Sequence, residues 1–273
     1  MEIRSIVVNV DSGASESAGL RYAIDLADKF GAELIGIAAD QPMAMYAAMD
    51  GGAAAVDAYA MELAQVETQL KRAEDAFEAM VPASIPHRWR SYVANPTQSL
   101  IENARLADLI VTAPRTESTF AVHNLTNLGE LVLASGRPVI DVADGVTAAM
   151  LKTICIGWKD TREARRAVSD ALPFLRLAQD VVVLTVTEGD YSGERTSLDD
   201  LLGWLKGHGV TARAEIIANP DGFVDALETN AMSRDADLLV IGGYGHSRMR
   251  EWLFGGVTRS VLSANTLNRF VSN

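Results

Sequence analysis

The chain has 273 residues, 48% of them apolar, which on a scale of roughly 150 residues per domain allows two domains, each with its own core. Acidic residues outnumber basic ones 36 to 24, a net charge of −12, and this argues against a nucleic-acid partner or an anionic membrane surface, since either asks for clustered Lys and Arg. A single cysteine, Cys155, excludes a disulfide framework within the chain and fits a reducing compartment.

The opening, MEIRSIVVNVDSG, has no basic segment followed by a long apolar run, so no signal peptide is expected. No window approaches 18 consecutive apolar residues, so no membrane span is expected either. The cytoplasm is the expected location. Residues 3–10 read as a strand and end at Asp11-Ser12-Gly13. Ser15 or Ser17 can cap a helix over 18–30, where Leu20, Ala23, Ile24 and Ala27 recur at helical spacing. Gly31 ends that helix. A second strand covers 33–39. The Ala-, Met- and Gly-rich stretch 41–57 has no period and reads as a loop, with Met43, Met45, Tyr46 and Met49 as lid or core packing. An amphipathic helix spans 59–80, a strand 87–93, a helix 97–106 and a strand 109–112. Another helix falls within 125–135, and Gly136-Arg137-Pro138 turns into a strand over 139–142.

After a linker at 144–149 the order restarts: a strand at 153–157, a helix at 163–177, a strand at 180–186, a shorter helix at 198–207 and a strand at 211–217. Val93-Ala94-Asn95-Pro96 is answered by Ile217-Ala218-Asn219-Pro220. Ala107-Asp108-Leu109-Ile110-Val111 is answered by Ala236-Asp237-Leu238-Leu239-Val240. A period near 140 residues is too long for a solenoid unit of roughly 20–50 residues and implies two copies of one domain. Strands alternating with helices imply parallel sheets.

The most informative stretch is 238–262, LLVIGGYGHSRMREWLFGGVTRSVL. A buried-strand pattern, Leu238 to Ile241, breaks at Gly242-Gly243-Tyr244-Gly245, and a helix is expected from Val257 after Gly255-Gly256. Glycines admit a close-approaching ligand, and free N–H groups at a helix start favour an anion. A tight strand-to-helix connection without ligand is the alternative. The spacing matches neither G-x4-GK[ST] nor G-x-G-x-x-G.

The spacing Gly242-x2-Gly245-x9-Gly255 resembles the nucleotide motif of the universal stress protein family, whose ATP-binding members carry G-x2-G-x9-G followed by Ser or Thr. Gly256 stands at the Ser/Thr position here, with Thr258 and Ser260 nearby. The resemblance extends over nearly the whole chain. It implies an α/β fold of two tandem, open, five-stranded parallel-sheet domains, Rossmann-like, at 1–146 and 151–273, packed as a pseudo-dimer. It leaves a homodimer of the whole chain open. The last segment, Asn265 to Val271, departs from the pattern and is expected as a short edge strand with Leu267 and Phe270 partly buried.

In such sheets ligands lie beyond the carboxyl ends of the strands. The resemblance therefore implies an adenine nucleotide, ATP with or without Mg²⁺, in the second half. The residues assigned to it are Trp158, Lys159 and Asp160 after the first strand, Val186 at the second, Asn219 at the third, and Gly242, Gly243, Gly245, His246, Arg248, Gly255, Gly256, Val257 and Thr258 in the glycine segment. Family members commonly carry a carboxylate where Lys159 stands; Lys159 meets a phosphate, or Asp160 takes the role, or the pair is a solvated turn. His246 and Arg248 pair with phosphate or form an exposed polar loop. Trp252, Leu253 and Phe254 read as core anchors of that loop rather than as a base-stacking platform. The first half lacks the glycines, since Pro114 supplies no N–H and Thr126-Asn127 stand near the place of Gly255-Gly256. It is expected not to bind nucleotide in the same way, although Asp11 holds the family's acidic position. The four histidines show no metal-ligand spacing, a zinc thiolate cluster needs more than one cysteine, and no G-x-S-x-G elbow occurs. Binding with at most slow hydrolysis is the expectation, beside two others: a nucleotide-free scaffold, or a binder of another small phosphorylated or apolar metabolite at the domain interface.

Overall fold

The computed structural model describes residues 2–11, 18–42, 53–113, 125–146, 148–187, 192–218, 223–243 and 266–273. In chain order the first half holds β1 (Ser5–Asn9), α1 (Ala18–Phe30), β2 (Glu33–Asp40), α2 (Ala53–Met80), β3 (His87–Val93), α3 (Pro96–Asn103) with a 3-10 turn (Ala104–Leu106), β4 (Leu109–Thr112), α4 (Leu128–Ser135) and β5 (Val139–Asp141). The second half holds β6 (Thr153–Gly157), α5 (Arg162–Leu175), β7 (Asp180–Thr187), α6 (Ser192–Gly207), β8 (Arg213–Ala218), α7 (Phe223–Met232), β9 (Leu238–Gly242) and β10 (Arg269–Ser272).

The ten strands form one sheet in the order β3-β2-β1-β4-β5-β10-β9-β6-β7-β8. Each half contributes five strands in the same winding order, and the two runs meet at β5 and β10. That junction is antiparallel, with Phe270 opposite Ile140 and Val271 opposite Val139; every other pairing is parallel. The final segment is therefore not an edge strand. It begins at Arg269 and lies in the middle of the sheet, with Phe270 fully buried. The physical reason is its alternation: Phe270 enters the apolar layer on one face and Val271 the layer on the other, so both faces of this short strand are covered.

Strands buried on both faces read as near-continuous apolar runs, and Leu238 to Gly242 are all buried. One layer packs α1, α2, α5 and α6 over Ile6, Val8, Ile154 and Val240. The opposite layer packs α3, α4 and α7 over Val7, Ile110, Cys155 and Leu239. Both layers run across the junction. On the first face α1 and α5 meet through Phe30 and Phe174, edge to face at 5.1 Å, and Phe174 meets Phe270 at 5.4 Å; such pairs add about 0.5–1.5 kcal/mol each beyond area burial.

The repeated Ala-Asp pair has a structural meaning. Asp108 Oδ2 accepts from the backbone N–H groups of Arg4 at 3.0 Å and Ser5 at 3.1 Å. Asp237 Oδ2 accepts from Lys152 at 2.7 Å and Thr153 at 2.9 Å. Each carboxylate, just before β4 or β9, satisfies the open start of the neighbouring β1 or β6. Two helices begin earlier than the apolar period suggests, at Ala53 rather than 59 and at Ser192 rather than 198. In each, the first buried side chain among the described ones comes well inside the helix, at Val66 and Leu198, so the leading turns carry no apolar stripe to read. α7 occupies a stretch that the sequence pattern leaves unassigned. The helix expected from Val257 lies outside the described residues.

Candidate functional site

The chain winds away from β6 in both directions, with β7 and β8 on one side and β9 and β10 on the other. Ligands of open parallel sheets bind outside the carboxyl ends of the strands at such a reversal. Parallel pairing of Ile156 with Val240 sets the end of β6 beside the end of β9. Trp158, Lys159 and Asp160 therefore come alongside Gly242 and Gly243.

The two described glycines are hemmed in by protein. A Cβ on Gly242 would lie 2.5 Å from Ala164 N and 2.6 Å from Glu163 C, backbone atoms in the first turn of α5. Gly242 thus lets the helix sit directly on the strand end. A Cβ on Gly243 would lie 2.9 Å from Val132 Cγ1, a side chain of α4 in the first half, and the Gly243 N–H donates to Ser272 O at 2.7 Å. Gly243 is held by β10 and faces the other half.

Trp158 turns its side chain away from the crevice mouth into the α5–α6 layer. It is 5% exposed, and its Nε1–H donates to Ser197 Oγ of α6 at 2.8 Å. Its carbonyl accepts from Thr185 Oγ1 at 3.1 Å. Lys159 and Asp160 are exposed, and Arg165 Nε donates to Asp160 Oδ1 at 2.7 Å. Thr161 caps α5 by accepting from the Ala164 N–H at 3.2 Å. Val186 is buried in the layer of α7. Gly245, His246, Arg248, Gly255, Gly256, Val257, Thr258 and Asn219 lie outside the described residues. Asn95, the first-half counterpart of Asn219, caps α3 by accepting from the Gln98 N–H at 3.1 Å, with Pro96 in the first helical turn.

The matching crevice of the first half lies between β1 and β4. There Asn9 Nδ2 donates to Thr126 Oγ1 at 3.0 Å. Asn127 caps α4, accepting from the Glu130 N–H at 3.1 Å, and its own N–H donates to Thr97 Oγ1 at 2.9 Å. Among the described residues at this crevice these polar groups bond one another. Gly157 stands where Asn9 does, and a Cβ there would meet Ile241 and Leu227 at 3.0 Å. Burial pushes the Cys155 thiol up to about 12, so it is an inert core group rather than a nucleophile. Among the described residues no group of three or more His, Cys, Asp or Glu could hold a metal. The Ser197 anchor and the Arg165 partner of Asp160 carry no sequence signal, because each arises from a contact between separate elements or turns.

A doubly wound parallel sheet with a glycine-flanked switch point defines the class of the protein. Residues 2–135 match the family model described as Universal stress protein family, and this first half is a universal stress protein domain. No curated protein matches the sequence. Among solved structures the chain is similar to a universal stress protein from Archaeoglobus fulgidus, at 14% identity and a TM-score of 0.63, covering 98% of this chain and 96% of that one. It is also similar to a putative universal stress protein from Pseudomonas aeruginosa UCBPP-PA14, at 17% identity and a TM-score of 0.59 over 99% and 93% of the two chains. A functionally unknown protein from Pseudomonas aeruginosa PAO1 follows at 17% identity and 0.57, over 99% and 92%. At these identities the likeness establishes the fold, and it extends over both halves.

Proposed function

We propose that the second half binds an adenine nucleotide, ATP with Mg²⁺, at the carboxyl ends of β6 and β9. The observation that carries this reading is the convergence of the Gly242-Gly243 strand end and the exposed Lys159-Asp160 turn on one topological switch point. The phosphates would be met by backbone N–H groups of the following glycines, Gly245, Gly255 and Gly256, with His246, Arg248 and Thr258 as further donors. Trp158, Val186 and Asn219 would shape the base and sugar side from behind. In this reading the chain is two domain copies, 1–146 and 151–273. The first is a degenerate partner, in whose crevice Asn9 donates to Thr126. The protein acts by binding in a cytoplasmic regulatory role in the stress response, with hydrolysis slow or absent.

Two measurements test the reading. Denaturing the purified protein and identifying the released small molecule by mass spectrometry should give an adenine nucleotide; a different metabolite would overturn the assignment. Calorimetric titration with ATP and Mg²⁺ should show one site per chain, lost in Gly245→Val. Unchanged affinity in that variant would remove the glycine segment from the site.

A further inference from the structure

The strand end that opens the glycine segment is tied to α5 by a line of hydrogen bonds. β9 and β10 end side by side, with Ser272 opposite Gly242. The Gly243 N–H donates to Ser272 O at 2.7 Å. The Ser272 hydroxyl in turn donates to Asp170 Oδ2 of α5 at 2.6 Å. Arg166 Nε, one turn earlier on the same helix, donates to that oxygen at 2.8 Å. Asp170 and Ser272 are 6% and 2% exposed. α5 therefore grips both strands of this tip: its first turn packs on Gly242, and its buried carboxylate holds Ser272.

The first half carries different groups at all three places. Counted from the strand starts Ser5 and Thr153, Tyr22 of α1 stands where Asp170 stands on α5. Val142, just past β5, stands where Ser272 does, by the matching pairings of Thr112 with Asp141 and of Ile241 with Val271. Pro114 takes the place of Gly243 in sequence, counted from the two Ala-Asp pairs, and has no N–H to give. Tyr22 and Val142 are fully buried in the layer of α1 and α5, and the Tyr22 hydroxyl has no hydrogen-bond partner among the described residues. Packing the first helix of a half over its last strand thus needs no carboxylate, and well-packed apolar groups often replace a buried ion pair without loss of stability. The half that carries the carboxylate is the half that carries the glycine segment.

We propose that Asp170 is a positioning residue for the glycine segment: it fixes the tip of β10 through the Ser272 hydroxyl, β10 fixes the Gly243 N–H, and this line of bonds sets where the chain leaves β9 for the ligand. The Gly243 bond is the last of the β9–β10 ladder among the described residues, so the anchoring of Ser272 decides how firmly it is held. Losing a hydrogen bond to a charged acceptor shifts such an equilibrium by about tenfold or more. The effect on the ligand rests on the nucleotide reading above, whereas the effect on Gly243 does not.

The experiment follows the Gly243 amide by hydrogen exchange on the full-length chain, beside calorimetric titration with ATP and Mg²⁺, in Ser272→Ala, Asp170→Ala and Asp170→Asn. Ser272→Ala and Asp170→Ala should speed exchange at Gly243 about tenfold more than at the amides within β9, and should weaken ATP binding by a similar factor. Asp170→Asn keeps an acceptor for the hydroxyl and should restore both to near the wild-type values. Ser272→Ala supplies the answer if Asp170→Ala does not fold. Gly243 protection that is unchanged in Ser272→Ala, or that falls only in step with the rest of β9, would overturn the positioning role. Gly243 loosened while ATP binds as tightly as to the wild type would overturn its reach to the ligand. A wild type that binds no ATP, with Gly243 still governed by Asp170, would overturn the nucleotide reading and support the positioning of the segment.

Discussion

Gly242→Ala separates two reasons for a glycine at the end of β9. The added Cβ would sit 2.5 Å from Ala164 N, 2.6 Å from Glu163 C and 2.9 Å from Glu163 O, where ordinary contact begins at 3.4 Å. All three obstacles are backbone atoms of the first turn of α5, so no side chain can swing aside. The turn must retreat by most of an ångström, which strains the Thr161 cap. Overpacking of this kind costs about 1–3 kcal/mol. The loss of unfolded-state freedom on replacing glycine returns roughly 0.4–1 kcal/mol. A net destabilisation of about 1–2 kcal/mol remains, which for a chain of this size lowers the melting temperature by roughly 3–6 °C. Thermal and urea melts of the two proteins, without added nucleotide, measure it directly. If Gly242 served only to admit a ligand, the melts would superimpose while ligand affinity fell. That outcome would refute the packing role assigned to it.

Further outcomes follow from the same geometry. Asp237→Ala removes the acceptor of two backbone N–H groups at the start of β6 and should cost about 2 kcal/mol in urea melts, with Asp108→Ala costing a similar amount in the first half; no loss at either would show that solvent replaces the carboxylate. Asp141→Asn should stabilise the protein above neutral pH. Burial raises the folded pKa to about 7 from about 4 for an ordinary Asp, so wild-type stability falls as pH rises through that window, by on the order of 4 kcal/mol in full. Denaturation midpoints of wild type and variant should converge near pH 4 and separate above 7, and parallel curves would contradict the assignment. Light scattering should return the mass of one chain, 29.3 kDa, because β5 and β10 pair internally and the outer strands β3 and β8 carry Arg88, Arg90, Arg213 and Glu215, charges that discourage edge pairing. A dimer disrupted by substitutions in β3 or β8 would reverse that expectation.

Strands and compact helices were legible because their apolar period coincides with burial. The limits of 18–30 and 87–93 read from sequence are those of α1 and β3. Where a helix runs beyond what it packs against, as α2 does before Val66, the period vanishes although the helix continues. The place of the last strand was not legible, since pairing between Phe270 and Ile140 joins segments 130 positions apart and nothing local marks it. The glycine segment was legible as a break at a strand end. Its spacing alone could not tell that Gly242 accommodates a helix and Gly243 a side chain of the other half, because both neighbours come from distant parts of the chain. Trp158, assigned to the crevice from its position, points into the helical layer, since the residue after a strand keeps the alternation of that strand.

The β5–β10 junction also bears on how the two crevices can differ. In an assembly of identical subunits related by a twofold axis, any change at one site is copied at the other. Here a single polypeptide supplies both sides of the axis, so Asn9 in one crevice and Gly157 in the other can be altered independently while the partners stay at a fixed one-to-one ratio. Covalent connection thus permits division of labour between two related folds without a second gene product to recruit.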